Sequence, residues 1–261
     1  MKFSPLAILA LSLCAIAQQA AQPLAPPSTG FPGLDHYRAS RIAIYTDDYG
    51  QLARYRDANA ALKPAAPGEK RVVFFGDSIT DLWKIEDSFP GKPYINRGIG
   101  GQTTSQMLVR FRQDVIDLQP KAVVILAGTN DIAGNTGPIS NEDIEKNFAS
   151  IAELAHAHNI RVIWSSILPV YNYTRQSQEF FAQRSPERIL TLNRWLKDYS
   201  AANDLVYLDY FSAMVDDKGM LKRDLADDGL HPNKAGFAIM APMAEKAIET
   251  SIQHSAPSTQ N

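Results

Sequence analysis

Cysteine is nearly absent from the 261-residue sequence: Cys14 is the only one, and it lies in an apolar stretch near the start. A chain whose remainder carries no thiol forms no disulfide framework, has no cysteine nucleophile and offers no thiolate to a metal. An excess of either charge is missing as well. With 26 Lys and Arg against 28 Asp and Glu the formal net charge is -2, so there is no broad basic surface for nucleic acid or an anionic membrane. Long hydrophobic runs are also lacking. The stretch from Leu6 to Ala17 is too short to span a bilayer, which takes about 20 residues, and nothing later exceeds it. His156 and His158 stand two apart on a predicted helix, point to different faces and make no metal pair. What is present, 45% hydrophobic and 21% charged residues, is the composition of an ordinary globular protein. It fits one main domain acting on a small molecule.

Lys2, the apolar stretch and the Ala-, Gln- and Pro-rich sequence after it read as a signal peptide over residues 1–21, cleaved after Ala17 or Ala21. Lipid attachment at Cys14 is disfavoured by bulky Leu13, where such sites carry a small residue. The expected mature protein is secreted or periplasmic and not stably inserted in a membrane. Residues 22–34 read as a flexible lead-in and 37–63 as a helical extension, the two together covering 22–69. The main domain then runs over 70–252, with a disordered tail at 253–261.

From Arg71 short apolar runs alternate with longer amphipathic ones. Val72 to Phe75, Tyr94 to Asn96, Ala122 to Ala127, Ile160 to Ile167 and Leu205 to Leu208 read as strands, and 104–118, 141–158, 187–202 and 233–251 as helices. Such alternation predicts an α/β fold, a parallel sheet with helices on both faces. Val123-Val124-Ile125-Leu126, apolar without a break, suits a strand buried on both sides. A sheet of this kind binds its ligand where its strands end, so the loops that follow the strands carry the chemistry.

Four loops stand out. The first, Gly76-Asp77-Ser78-Ile79-Thr80, places a serine just past a strand, where either Asp77 or Ser78 caps the next helix, or the serine offers its hydroxyl as a nucleophile. Thr80 replaces the second glycine of the α/β-hydrolase elbow. The second, Asn96 to Thr104, holds Gly98, Gly100 and Gly101, whose backbone N–H groups can face an anion; the spacing matches no nucleotide-binding pattern. In the third, Gly128-Thr129-Asn130-Asp131, the Asn130 amide is a candidate oxyanion donor. In the last, Asp227-Asp228-Gly229-Leu230-His231-Pro232, Asp228 and His231 stand one turn apart, so the carboxylate can orient the imidazole. Together they supply a nucleophile, oxyanion donors and an Asp-His base.

These four blocks, in this order, resemble those of the SGNH (GDSL-like) hydrolases over roughly residues 70–250. Asn96 to Thr104 and Gly128 to Asp131 look closest to the branch holding the platelet-activating-factor acetylhydrolase catalytic subunits and bacterial acylhydrolases. The resemblance implies a three-layer α/β/α flavodoxin-like fold with a five-stranded parallel sheet, and neither metal nor organic cofactor. It implies Ser78 as nucleophile, His231 as base and Asp228 as its orienting acid. Ser78 N–H, Gly101 N–H and the Asn130 side chain would form the oxyanion hole, with Gly98 and Gly100 competing for the place of Gly101. Ile79-Thr80 stands where the family often has Leu-Ser, which touches only local packing.

The expected substrate is a small ester with a short acyl group, acetyl foremost, on a carbohydrate or similar polar alcohol. The segment from Pro169 to Pro186 carries Tyr171, Tyr173, Phe180 and Phe181 among amides and Arg175, a mixture suited to a sugar face. Tyr171, Tyr173 and Arg175, with Trp83 after the nucleophile, are the candidate substrate contacts. A lysophospholipase or thioesterase activity, and a non-catalytic glycan-binding module, are the alternatives.

Overall fold

The computed structural model describes residues 27–253; the expected signal peptide and the tail beyond residue 253 lie outside it. The described chain opens with helices α1 (Pro32–Asp47) and α2 (Arg56–Ala61). The core follows as β1 (Val72–Gly76), α3 (Ser78–Asp81), α4 (Ile85–Ser88), β2 (Tyr94–Gly98), α5 (Thr104–Asp114), β3 (Ala122–Leu126), α6 (Thr129–Ala133), α7 (Asn141–Ala157) and β4 (Arg161–Ser165). It continues with α8 (Ser177–Gln183), α9 (Pro186–Ala202), β5 (Val206–Leu208), α10 (Tyr210–Met214) and α11 (Lys234–Gln253).

All four strand pairings are parallel, and the order is β2-β1-β3-β4-β5. Because side chains alternate across a strand, the unbroken apolar runs feed two cores at once. Val73, Phe75, Val123 and Ile125 pack with Met107, Phe111, Phe148 and Leu192 of α5, α7 and α9. Val72, Phe74, Val124 and Leu126 pack with Trp83, Phe89, Met214, Met240 and Ala244 on the other side. This is the expected three-layer α/β/α arrangement.

Several boundaries differ from the sequence reading. The strand expected over 160–167 runs over Arg161–Ser165: Ser166 N–H still donates to Leu208 O, but the Ser166 hydroxyl accepts from Phe211 N–H, beyond the end of β5, where the ladder stops. The helix expected over 104–118 stops at Asp114 and gives way to a 3-10 turn at Ile116–Leu118. The expected N-terminal helix is two helices, and the first begins at Pro32, inside the stretch read as flexible. Proline favours a first helical turn, where its missing N–H costs nothing. Asp48 ends this helix: its carboxylate accepts from Leu52 N–H at 2.8 Å and Ala53 N–H at 2.9 Å, closing a turn instead of another helical step.

One buried cation ties the ends of β1 and β2 together. Arg110, fully buried on α5, donates to Gly76 O (2.9 Å), Arg97 O (2.9 Å) and Asp114 (3.0 Å). Its pKa is pushed down to about 10 by burial, against the opposing charge of Asp114. The two loops that leave these strands are therefore anchored to one planar guanidinium.

Candidate active site

Ser78 is the first residue of α3 and follows β1 by one residue. Asp77 caps that helix by accepting from Ile79 N–H at 3.0 Å, so the capping role belongs to the aspartate and the serine hydroxyl is left to project from the strand end. It meets His231: Ser78 Oγ and His231 Nε2 are 2.8 Å apart. On the other side of the ring His231 Nδ1 lies 2.7 Å from Asp228 Oδ2. The remaining Asp228 oxygen accepts from Leu230 N–H at 2.9 Å and His231 N–H at 2.8 Å. Burial on its own would raise the pKa of Asp228, but the bonds from the His231 ring and these two amides outweigh it and bring it to about 2. A carboxylate held this firmly ionised fixes the imidazole's tautomer and its orientation toward Ser78.

The three glycines of the second loop are separated by their contacts. Gly98 N–H is taken by Asn96 Oδ1 at 2.8 Å, and a Cβ there would come within 2.1 Å of Asp81 N. Gly100 N–H is taken by Asp81 Oδ2 at 3.1 Å. Gly101 has φ +77, and among the described residues its N–H has no acceptor. Its carbonyl is held from the opposite side by Asn135 Nδ2 (2.9 Å) and the Tyr37 hydroxyl (3.3 Å).

Asn130 sits on α6 and is 2% exposed. It donates one amide hydrogen to Gln102 O at 3.1 Å, which leaves the second for the site. Its Oδ1 accepts from Arg184 Nη2 at 3.3 Å. Arg184, at the end of α8, is 3% exposed and also donates to Thr129 Oγ1 (3.0 Å) and Gln183 Oε1 (3.1 Å). Burial depresses its pKa to about 10, because no carboxylate pairs with it directly among the described residues. Nearby Asp77, fully buried with Oδ2 unbonded, is pushed up to about 6 by the same loss of water. Asp131 is likewise raised to about 7 by burial, although Thr104 donates to it through both N–H and Oγ1–H.

Ser78, Gly101, Asn130 and His231 open on one cavity of about 560 Å3. Its other walls are α1, through Leu34, Tyr37 and Arg41, and α8, through Gln176, Phe180 and Gln183. The four candidate substrate contacts do not line it. Trp83 is buried, stacked on Phe237 at 5.1 Å between ring centroids, with Nε1 bonded to Ser88 Oγ. Tyr171 is a buried strut under the histidine loop: its N–H bonds Gly229 O (3.0 Å) and its hydroxyl bonds Ala226 O (3.1 Å). Tyr173 packs against Tyr171 and bonds Asp216, while Arg175 is exposed on the loop before α8. The segment reached the cavity, but through Gln176, Phe180 and Gln183.

Sequence reasoning missed Arg184 and the whole wall supplied by α1. Gly33, Leu34, Tyr37 and Arg41 recur at helical spacing along one face of α1. That recurrence was the available signal, and its mixed polarity concealed it.

A hydroxyl, an imidazole and an ionised carboxylate in line at the edge of a parallel sheet, beside unpaired N–H donors, form an arrangement suited to acyl transfer. The sequence model of the GDSL-like lipase/acylhydrolase family matches residues 74–239, and the chain belongs to that family. It is a carboxylic ester hydrolase of this class. A solved GDSL-like lipase of Bacteroides thetaiotaomicron is 41% identical, with TM-score 0.72, covering 77% of this chain and 98% of that one. An acetylxylan esterase of Geobacillus stearothermophilus shares the fold at 19% identity and TM-score 0.56, over 71% of this chain and 96% of that one. An uncharacterized lipoprotein of Bacillus subtilis is 30% identical over 45% of this chain, and the match spans only 56% of that relative's length. An Escherichia coli protein called thioesterase 1/protease 1/lysophospholipase L1 is 23% identical over 67% of this chain and 74% of its own.

Proposed function

We propose that the protein hydrolyses short-acyl esters, acetyl esters of carbohydrates foremost, through an acyl-enzyme on Ser78. The observation that carries this reading is the unbroken line from Ser78 Oγ through His231 to Asp228, opening on the cavity. His231 Nε2 takes the Ser78 proton as the oxygen attacks the ester carbonyl. The oxyanion is held by Ser78 N–H, Gly101 N–H and Asn130 Nδ2–H. Asp228 stabilises the imidazolium, which then protonates the departing alcohol. Water gives a proton to the same nitrogen, attacks the acyl group and releases the acid, restoring the Ser78 hydroxyl. Arg184 acts as a positioning residue: by donating to Asn130 Oδ1 it fixes which end of the amide faces the oxyanion.

The walls support a short acyl group and a polar alcohol. Amides and charged groups, Asn135, Gln176, Gln183 and Arg41 among them, stand beside apolar Leu34, Tyr37, Phe180 and Leu230, a mixed lining that suits a polar alcohol carrying a short acyl group. The acetylxylan esterase among the structural neighbours is consistent with this. A second reading, a lysophospholipase- or thioesterase-type activity, is favoured by a separate groove of about 760 Å3 that begins at Pro232, beside His231, and runs along Leu82, Trp83 and Phe237. Export is inferred from the sequence of residues 1–21, and one relative is a lipoprotein.

The test is a series of p-nitrophenyl esters from acetyl to dodecanoyl, together with acetylated xylo-oligosaccharides. The expected result is the highest kcat/KM at acetyl, acetate release from the sugar, and loss of several powers of ten in Ser78→Ala. Rates rising steadily to dodecanoyl with no release from the sugar would replace this reading with the second. Activity within about tenfold of wild type in Ser78→Ala would remove the nucleophile assignment.

A further inference from the structure

We infer that the catalytic cavity contains a subsite for an anionic oxygen group on the ester substrate, a carboxylate or a phosphate, and that Arg41 receives it. The inference rests on the proposed hydrolysis at Ser78 and names a class of substrate for it.

Arg41 lies on the face of α1 that walls the cavity, one turn beyond Tyr37, whose hydroxyl reaches Gly101 O. Its guanidinium carbon sits 5.3 Å from the centre of the Tyr37 ring, which holds the planar group against an aromatic face. Its Nε is shielded from solvent and has no hydrogen-bond partner. The side chain as a whole is only partly buried and lines the cavity, so it is the outer end of the guanidinium, not Nε, that is open to a ligand oxygen.

The other charged groups of the cavity are already committed. Arg184 spends its donors on Thr129, Asn130, Gln183 and the Phe180 carbonyl, all of them neutral. Glu179 accepts from Leu34 N–H at 3.2 Å and Gln183 Nε2 at 2.9 Å. It thereby lies against the first turn of α1, where the helix's positive end offsets its charge. Among the described residues no carboxylate forms an ion pair with Arg41. The cavity is left with a positive guanidinium whose fork matches two oxygens of a carboxylate or phosphate. A neutral sugar ester would leave that fork unused.

The experiment compares para-acetoxybenzoate with its neutral methyl ester, and para-acetoxyphenyl phosphate as the phosphate arm, on the full-length protein. Preference is read as kcat/KM for the anion over kcat/KM for the neutral ester. In Arg41→Gln this ratio is expected to fall about tenfold or more, the size of a lost hydrogen bond to a charged group, and to do so through KM. Arg41→Lys should recover part of it, and the larger drop of the two anions identifies carboxylate or phosphate as the preferred group. A ratio that moves less than twofold in Arg41→Gln overturns the subsite. If that variant does not fold, inhibition of the wild type decides: benzoate should compete better than benzyl alcohol and lose its advantage in high salt, and equal inhibition overturns the proposal. Should no ester be turned over at all, the hydrolysis reading falls. Calorimetric binding of benzoate to wild type against Arg41→Lys then settles the subsite alone, absence of heat in both being the overturning result.

Discussion

Replacing Arg184 tests whether the oxyanion donor on Asn130 has to be aimed. Arg184→Gln removes the donor to Asn130 Oδ1, but Gln102 O still holds one amide hydrogen at 3.1 Å. The amide keeps its anchor and loses its stop, so the variant costs less than deletion of Asn130. Deleting an oxyanion donor raises the barrier by about 2.7 to 4 kcal/mol. One hydrogen bond to a charged group contributes about 1.5 to 3 kcal/mol, roughly ten- to a hundredfold in rate. The expected result with p-nitrophenyl acetate is therefore a kcat about ten- to a hundredfold lower in Arg184→Gln and about a hundred- to a thousandfold lower in Asn130→Ala. KM should change little in both. The decisive measurement is the double variant: with Asn130 gone there is nothing to aim, and adding Arg184→Gln should cost less than about threefold more. Losses that multiply would refute the positioning role, as would an unchanged kcat in a variant shown by thermal melting to be folded.

Two further outcomes follow from the carboxylates. Asp228→Asn should lower kcat about a thousandfold or more, since the amide cannot hold the imidazole's tautomer. Asp227→Asn, which disturbs only a bond from Asn233 at 3.0 Å, should stay within about threefold; equal losses in steady-state assays would mean that the wrong carboxylate has been assigned. Asp131 is the opposite case in sign. Its native pKa of about 7 lies above the ordinary value of 3.8, so its contribution to stability is complete below that ordinary value and is lost as the pH rises through about 7. The melting temperature of the wild type relative to Asp131→Asn should thus decline between pH 4 and 7; a constant difference would contradict the burial argument.

The parts of this site readable in the sequence are those where a single local rule applies. Val72 to Phe75 is too apolar to be anything but a strand with both faces covered, and a serine just past it must emerge at the sheet edge. Asp228 and His231 are three apart, so their contact needs only one turn of chain. Gly101 was set apart from Gly98 and Gly100 by contacts that no spacing encodes, since Asn96 and Asp81 occupy the other two N–H groups. Trp83 and Tyr171 lie outside the cavity at Ser78, since an aromatic residue near a site is equally at home beneath it, and Trp83 lines the separate groove instead. The role of helix α1 as a cavity wall escaped notice for another reason. The helix docks through polar bonds, Tyr37 to Gly101 O, Leu34 N–H to Glu179 and Arg38 to Gly134 O, so its inner face has no apolar stripe to betray it. Arg184 meets its partners Thr129 and Asn130 across the α8–α6 contact, 55 and 54 residues away in sequence, where no local rule reaches.

The tie that Arg110 makes between the ends of β1 and β2 separates two kinds of change open to the molecule. The serine and glycine loops leave from clamped strand ends deep in the sheet, while α1 and α8 are leaned against the cavity from outside it. Side chains on those two helices can be exchanged, or a helix reshaped, without disturbing the distance over which a proton passes from Ser78 to His231. The preference for one alcohol or acid over another is thus free to drift while the reaction itself stays fixed, and a library on α1 and α8 that keeps Tyr37, which holds Gly101 O, and Arg184, which aims Asn130, would explore specificity on an unchanged chemical engine.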